Sequence, residues 1–305
     1  VAIYHTYASN DDLREYLAGT SYSSNWSSDT NIIARILETS SKRIDAYMGM
    51  RSFGIRIDTR FFDIGTGALK QSQQNFYDTS GTYALGPSSS MMNSIVFDDW
   101  LYNPTTVTAY KQTDRTESET LTEGYNADYW LLPYNQYPKV QMTLNEDTSK
   151  SLYSGQQTLS ITGEWGYSKE TVEQTTLDGG ISASDTTVSV TSASGLSASQ
   201  TVLVADEQMY ITGISTNDLT VVRGVNGTTA AIHLTGVTVE TFTYPSLVVQ
   251  ACLDIAKIYY RDRDLGVTNT LGGDVPITTA SNEQRGILHS LDEYRAQAPN
   301  SVVFF

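Results

Sequence analysis

The chain has 305 residues, 39% of them hydrophobic and only 17% charged, enough to bury a core without a metal or disulfide staple. Its net charge of −15 disfavours a basic nucleic-acid binder, which needs cations to displace counterions from phosphate. The single cysteine, Cys252, excludes an internal disulfide and a Cys-based zinc site, and no run approaches 18 apolar residues, so no membrane-spanning helix is expected.

The first predicted helix covers 9–18. Ser9 is placed to accept a free amide, Asp11 and Asp12 complement the positive end of the dipole, and Leu13, Tyr16 and Leu17 share one face. Before it, Val1–His5 has neither a basic nor an apolar run and is not expected to be a signal peptide. A second helix is expected over 29–48, with Ile33, Ile36, Leu37, Ile44, Tyr47 and Met48 at helical spacing and Gly49 as its stop. Between 55 and 166 the period changes to two, with short strands expected at Ser94–Phe97, Thr106–Tyr110 and Tyr129–Leu132, and alternation at Val140, Met142, Leu144, Leu159 and Ile161. Gly65–Ser90, rich in Gly, Ser, Gln and Asn, reads as a long excursion.

Thr176–Thr243 differs in kind. Serine and threonine make up 22 of its 68 residues, its only base is Arg223, and short β patterns recur between Gly and Asn/Asp turns. A small β-sandwich or barrel-like domain is expected, inserted over 168–244. Helix returns at 245–264, opened by Pro245, and a last helix is expected over 281–296 with a Ser281…Gln284 capping box. The expected fold class is α+β. A four-helix bundle, two helices from each end of the chain, forms a discontinuous body (1–167 and 245–305) with an antiparallel β layer, plus the all-β insert.

Several residue sets are weighed for chemistry. His5, His233 and His289 are scattered and share no i, i+4 spacing, so metal binding or general-base use is not expected of them. Asp98 and Asp99 are adjacent in a strand and point to opposite faces, which denies them a shared substrate atom. Gly65-Thr-Gly67 and Gly272-Gly273 lack both phosphate-binding patterns. Arg223-Gly224 with Asn226-Gly227 reads as turn chemistry, with Arg223 available to an acid in the insert or on a neighbour. Cys252 lies on an apolar stripe and is expected in the core. No catalytic residue, metal or cofactor is assigned, and the chain is not expected to be an enzyme.

Two N-terminal helices lead to Asp128-Tyr-Trp-Leu-Leu-Pro-Tyr-Asn-Gln-Tyr-Pro-Lys139. Then come Leu159-Ser-Ile-Thr-Gly-Glu-Trp-Gly-Tyr167, the Pro-initiated helix, and Leu291-Asp-Glu-Tyr-Arg295. This series resembles the head–tail adaptor (connector) proteins of tailed bacteriophages, in which the strand ending in a Gly-aromatic pair runs almost directly into the Pro-capped helix. Here that junction is interrupted by 168–244, and Val221–Gly236 resembles a motif of small β modules in phage structural proteins. The resemblance implies a virion protein, assembled in the host cytoplasm and forming a ring of twelve copies at the head–tail junction. It would dock on the portal protein, extend the DNA channel and receive a stopper or tail-completion protein. Viral DNA, with about one charge per 1.7 Å of axis, would pass an acidic lumen without specific binding, and no membrane is involved. The alternative is a capsid- or carbohydrate-binding tail or decoration protein carrying the β module. The residues expected to bind partners are Arg261, Arg263, Tyr294, Arg295 and the apolar tail Val302, Val303, Phe304 and Phe305. Two readings of that tail stand side by side: a disordered end or a strand on the protein's own surface, and an extended peptide that docks on the portal or a neighbouring subunit by strand addition, worth about 6–12 kcal/mol before ordering costs.

Overall fold

The computed structural model describes residues 4–18, 30–64, 94–264 and 279–296. The excursion Gly65–Ser90, the Gly272-Gly273 pair and the tail Val302–Phe305 lie outside them. Elements run α1 (Asn10–Leu17), α2 (Thr30–Tyr47), β1 (Arg56–Ile64), β2 (Ser94–Tyr110), β3 (Ser118–Leu121), β4 (Tyr129–Leu132), β5 (Lys139–Leu144) and β6 (Gly155–Trp165). They continue as β7 (Thr171–Thr176), β8 (Thr187–Ser189), β9 (Thr201–Val204), β10 (Glu207–Ser215), β11 (Asp218–Val222) and β12 (Thr238–Phe242). The chain then enters α3 (Ser246–Asp264), α4 (Thr279–His289) and α5 (Asp292–Ala296).

The strands form two antiparallel six-stranded sheets, which overturns the expected helical-bundle body: the chain is mostly β. An amphipathic stripe shows that a helix buries one face, and not what covers it. The helices do meet, α3 touching α1, α2 and α4, and α3 is buried nearly all round through Val248, Cys252, Ile255, Ala256 and Tyr260. Their layer shares its unit with a β-sheet, and the compact units follow different boundaries from those expected. One unit joins 1–56 to 168–297; the other is essentially 57–167.

In the first unit, α1 opens with a capping box. The Ser9 hydroxyl accepts from the Asp12 amide at 3.0 Å, and the Asp12 carboxylate accepts from the Ser9 amide at 2.7 Å. Ser9→Ala removes an acceptor from a buried helix end and is expected to cost about 1 kcal/mol, read as a lower urea midpoint. Leu13 and Leu17 are buried as the pattern predicts, and the Tyr16 hydroxyl donates to Asp254 on α3. On α2, Ile33, Leu37, Ile44 and Met48 make the buried stripe. The expected final helix is two, because Leu291 turns into the core through an amide bonded to Leu288 O at 3.0 Å.

The same unit holds the Ser/Thr-rich strands in the order β7-β12-β9-β10-β11-β8. Leu177 and Val190, just after the two edge strands, pair with each other, and the Thr191 amide donates to Thr176 O at 2.9 Å. This closes the sheet into a small barrel around Val188, Val202, Val204, Met209, Ile211, Leu219 and Val239. Thr171 opposes Phe242 across β7 and β12, so both ends of the segment lie side by side where α3 begins. The barrel is stitched to the start of the chain. The Tyr4 amide donates to Asn226 Oδ1 at 2.8 Å, Thr6 bonds Ser199 O, the Asn10 amide donates to Ser197 Oγ at 3.3 Å, and Gln208 Nε2 donates to Ile55 O at 3.0 Å.

The second unit is the sheet β1-β6-β2-β5-β4, with β3 beside the far half of β2. Its core gathers Phe62, Phe97, Leu131, Met142, Leu159, Ile161 and Trp165. The two short strands expected around 94–110 are one, since β2 runs through Pro104. A register shift at Pro104/Thr106 absorbs the missing N–H, and Gly163 opposite leaves room: a Cβ there would lie 2.4 Å from Asn103 O.

Candidate functional site

Of the residues expected to bind partners, Arg261 ties α3 to α4 through an Nη2–Oε2 contact of 3.3 Å to Glu283. Tyr294 packs edge-on against Phe53, centroids 5.3 Å apart. Arg295 lies over the Tyr47 ring at 4.7 Å and within 3.8 Å of Asp292. Tyr47 and His289 join this group, the Tyr47 hydroxyl donating to Asp292 at 2.5 Å and His289 Nδ1 lying 3.1 Å from its other oxygen. Hydrogen bonds from Tyr47 and His289 hold the Asp292 carboxyl below its ordinary range. The structure therefore brings Tyr294 and Arg295 together on α5, facing contacts within the chain. The side chain of Arg263, like the tail, falls outside the described residues.

Cys252, Asp98, Asp99 and Tyr7 all sit in structural contacts. Cys252 Sγ sits 3.5 Å from Ser41 Oγ, and burial pushes its thiol up to about 12, far from thiolate chemistry. Asp98 and Asp99 do face opposite ways, one exposed and one buried, yet Arg60 reaches both, at 3.7 and 2.6 Å. Tyr7 donates to Asp45 and accepts the Phe53 amide at 3.0 Å, locking the end of α2 to the first segment. Among the described residues no three His, Cys, Asp or Glu side chains converge as a metal site.

The strongest buried charge is Glu207 on β10, 1% exposed. Arg223 grips it with a fork, Nε to Oε1 at 2.7 Å and Nη2 to Oε2 at 2.8 Å. The amides of Gly224 and Ala231 and the His233 ring also bond its oxygens, at 3.0, 3.0 and 2.8 Å. Burial opposes ionisation of Glu207, but these donors outweigh it and hold the carboxyl below its ordinary range. Arg223 spends its remaining donors on the carbonyls of Ser182, Asp185 and Ala231. This clamp ties the 223–236 loop to β10. It also sets Ile232 and Leu234, each 73% exposed, on either side of the buried His233.

An exposed surface of another kind lies on the second unit, around β4. Tyr125, Tyr134 and Tyr137 are exposed and Trp130 is half-buried. Trp130 meets Tyr125 and Tyr134 near edge-to-face, with centroids 6.2 and 5.8 Å apart, while Tyr137 lies 4.8 Å from Tyr102. Lys139 Nζ donates to Pro133 O at 2.8 Å and sits over the Tyr137 ring. Large amphipathic rings held on a sheet edge are suited to protein contact: they give area at low entropic cost. The segment containing Trp130, Tyr134 and Tyr137 stands out in the sequence as a motif, but its exposure does not. Tyr125 gives no sequence signal at all. This aromatic terrace is the candidate site.

No family model, curated protein or solved structure matches the chain.

Proposed function

We propose that the chain is a structural protein of the tailed-phage head–tail junction, a ring-forming adaptor that docks on the portal, extends the DNA channel and receives the next neck or tail protein. The observation that carries this reading is the junction at Tyr244–Pro245. Strands β7 and β12 stand side by side at the mouth of the inserted segment, and the chain passes from β12 into a central α3 that the helices from the other end of the sequence cover. This order of elements agrees with what the adaptor resemblance implies, a barrel being grafted at one point. The net charge of −15 suits a channel wall that DNA must pass without sticking. The exposed aromatic terrace supplies a protein-facing surface.

Negative-stain images of the purified chain mixed with portal rings test the proposal. A twelve-fold ring added to the narrow end of the portal is expected. Particles that leave the portal bare would overturn it. A carbohydrate- or capsid-binding decoration protein is the second reading, favoured by the exposed rings of Tyr125, Tyr134 and Tyr137. It requires a chain that ignores the portal and binds glycan or capsid.

A further inference from the structure

Between the β3–β4 and β5–β6 connections, an open groove of about 580 Å³ is lined by Tyr125, Asp128, Trp130, Asn145, Glu146 and Asp147 among others. Its walls are tied together. Asn145 Nδ2 donates to the carbonyls of Gly124 and Ala127 at 3.1 and 2.5 Å, and the Asn145 amide donates to Asp128 O at 2.9 Å. The Asp128 carboxylate accepts from the Thr122 amide and hydroxyl, both at 2.9 Å, and from the Thr148 hydroxyl at 2.7 Å. Asp128 is thus a fixed anion, with Lys150 the cation acting on it.

Glu146 and Asp147 differ: both are exposed, and neither has a hydrogen-bond or ion-pair partner among the described residues. Beside them Tyr125 is 82% exposed, so the aromatic wall is open to solvent. Carboxylates only accept hydrogen bonds, and an aromatic face carries negative quadrupole charge. A groove built from both calls for a group that only donates and is positive. The guanidinium fits on each count: it is planar, stacks on aromatic rings, and offers five donors with no acceptor. A neutral sugar fits less well: both Asn145 amide hydrogens are already taken by backbone carbonyls, and although Asn126 and Ser149 also line the groove, a sugar would leave the charges of Glu146 and Asp147 without a counterpart.

We infer that this groove receives an arginine side chain of a partner protein, stacked against Tyr125 and Trp130 and paired with Glu146 and Asp147. The inference takes from the reading above only that the partner is a protein. It belongs to the 57–167 unit and holds or fails whether or not a ring forms on the portal.

The test uses the full chain and two glycine-flanked peptides, one with two arginines and one with two citrullines, titrated by calorimetry. Citrulline keeps the shape and loses the charge. Saturable binding of the arginine peptide is expected, at least about tenfold tighter than the citrulline peptide. Glu146→Gln with Asp147→Asn is expected to weaken it about tenfold, and Tyr125→Ala about fivefold, with unfolding midpoints unchanged because all three side chains are exposed. No saturable binding, equal affinity for the two peptides, or an unweakened variant would overturn the inference. So would a neutral oligosaccharide that displaces the arginine peptide from the groove. The portal images are blind to all of these outcomes, so the two proposals fail separately.

Discussion

Replacing Arg223 by alanine is expected to destabilise the unit that carries the barrel by about 3–5 kcal/mol, the range for stranding one member of a buried ion pair. The guanidinium makes two bonds to Glu207 and three to the carbonyls of Ser182, Asp185 and Ala231. Its loss leaves a carboxylate 1% exposed with only two amides and the His233 ring as partners. The loop from Gly224 to Gly236 has few apolar anchors, so the clamp is what shapes it. Lysine at 223 keeps the charge and cannot reproduce the fork, so most of the loss should remain. Removing both charges with Glu207→Leu and Arg223→Leu should cost less than Arg223→Ala alone, since an absent charge needs no partner. The Glu207 carboxyl is held low in the fold. The stability it contributes is therefore present above its unfolded pKa and is lost as pH falls through the folded value. Urea midpoints at neutral pH for the three variants decide the matter. An unchanged midpoint for Arg223→Ala would show that the clamp is not structural.

What the sequence made legible, and what it hid, divides by the range of the interaction. Ser9 as a cap, the α2 stripe and the Pro245 start of α3 all depend on residues within one or two turns, and each stands where periodicity places it. The recurrent Thr/Val patterns of the barrel alternate within single strands and were equally readable. The helical bundle fails because a stripe on α3 records burial and not the partner, and two six-stranded sheets make the chain mostly β. His5–Ala8 carries no period at all, yet it is buried, and the segment around it bonds to partners about 190–220 positions away, Ser197, Ser199 and Asn226. Continuity of β2 through Pro104 is underwritten by Gly163, a residue no local reading of the proline would consult. An acid in the insert is an expected partner for Arg223, but nothing around Glu207 marks it as that acid. The candidate site was half visible: Trp130, Tyr134 and Tyr137 fall in a motif, while Tyr125, Glu146 and Asp147 reach the groove from other connections.

His5 shows how such a hidden contact governs behaviour in solution. Its ring is 4% exposed, with Nε2 3.0 Å from Ile55 O and Nδ1 3.2 Å from the Tyr244 hydroxyl. A carbonyl can only accept, so Nε2 carries the proton; Nδ1 then accepts from Tyr244, and the neutral ring is fully satisfied. Gly54 leaves the space it occupies, since a Cβ there would lie 2.4 Å from the imidazole. Burial lowers the pKa from 6.5 to about 4, the Ile55 carbonyl pulling the other way and the Arg56 charge adding to the fall. Below pH 6.5 the unfolded chain therefore binds a proton that the folded chain refuses until about pH 4. Stability contributed by neutral His5 is complete near pH 7 and declines through that window, the loss reaching about 3 kcal/mol at its lower end. His5→Gln keeps a neutral hydrogen-bonding side chain and removes the titration. Its urea midpoint should be lower than that of the natural chain at pH 7, and the two should converge as pH falls toward 4.5. Parallel pH profiles for the two proteins would mean that the buried ring is not what the acid attacks.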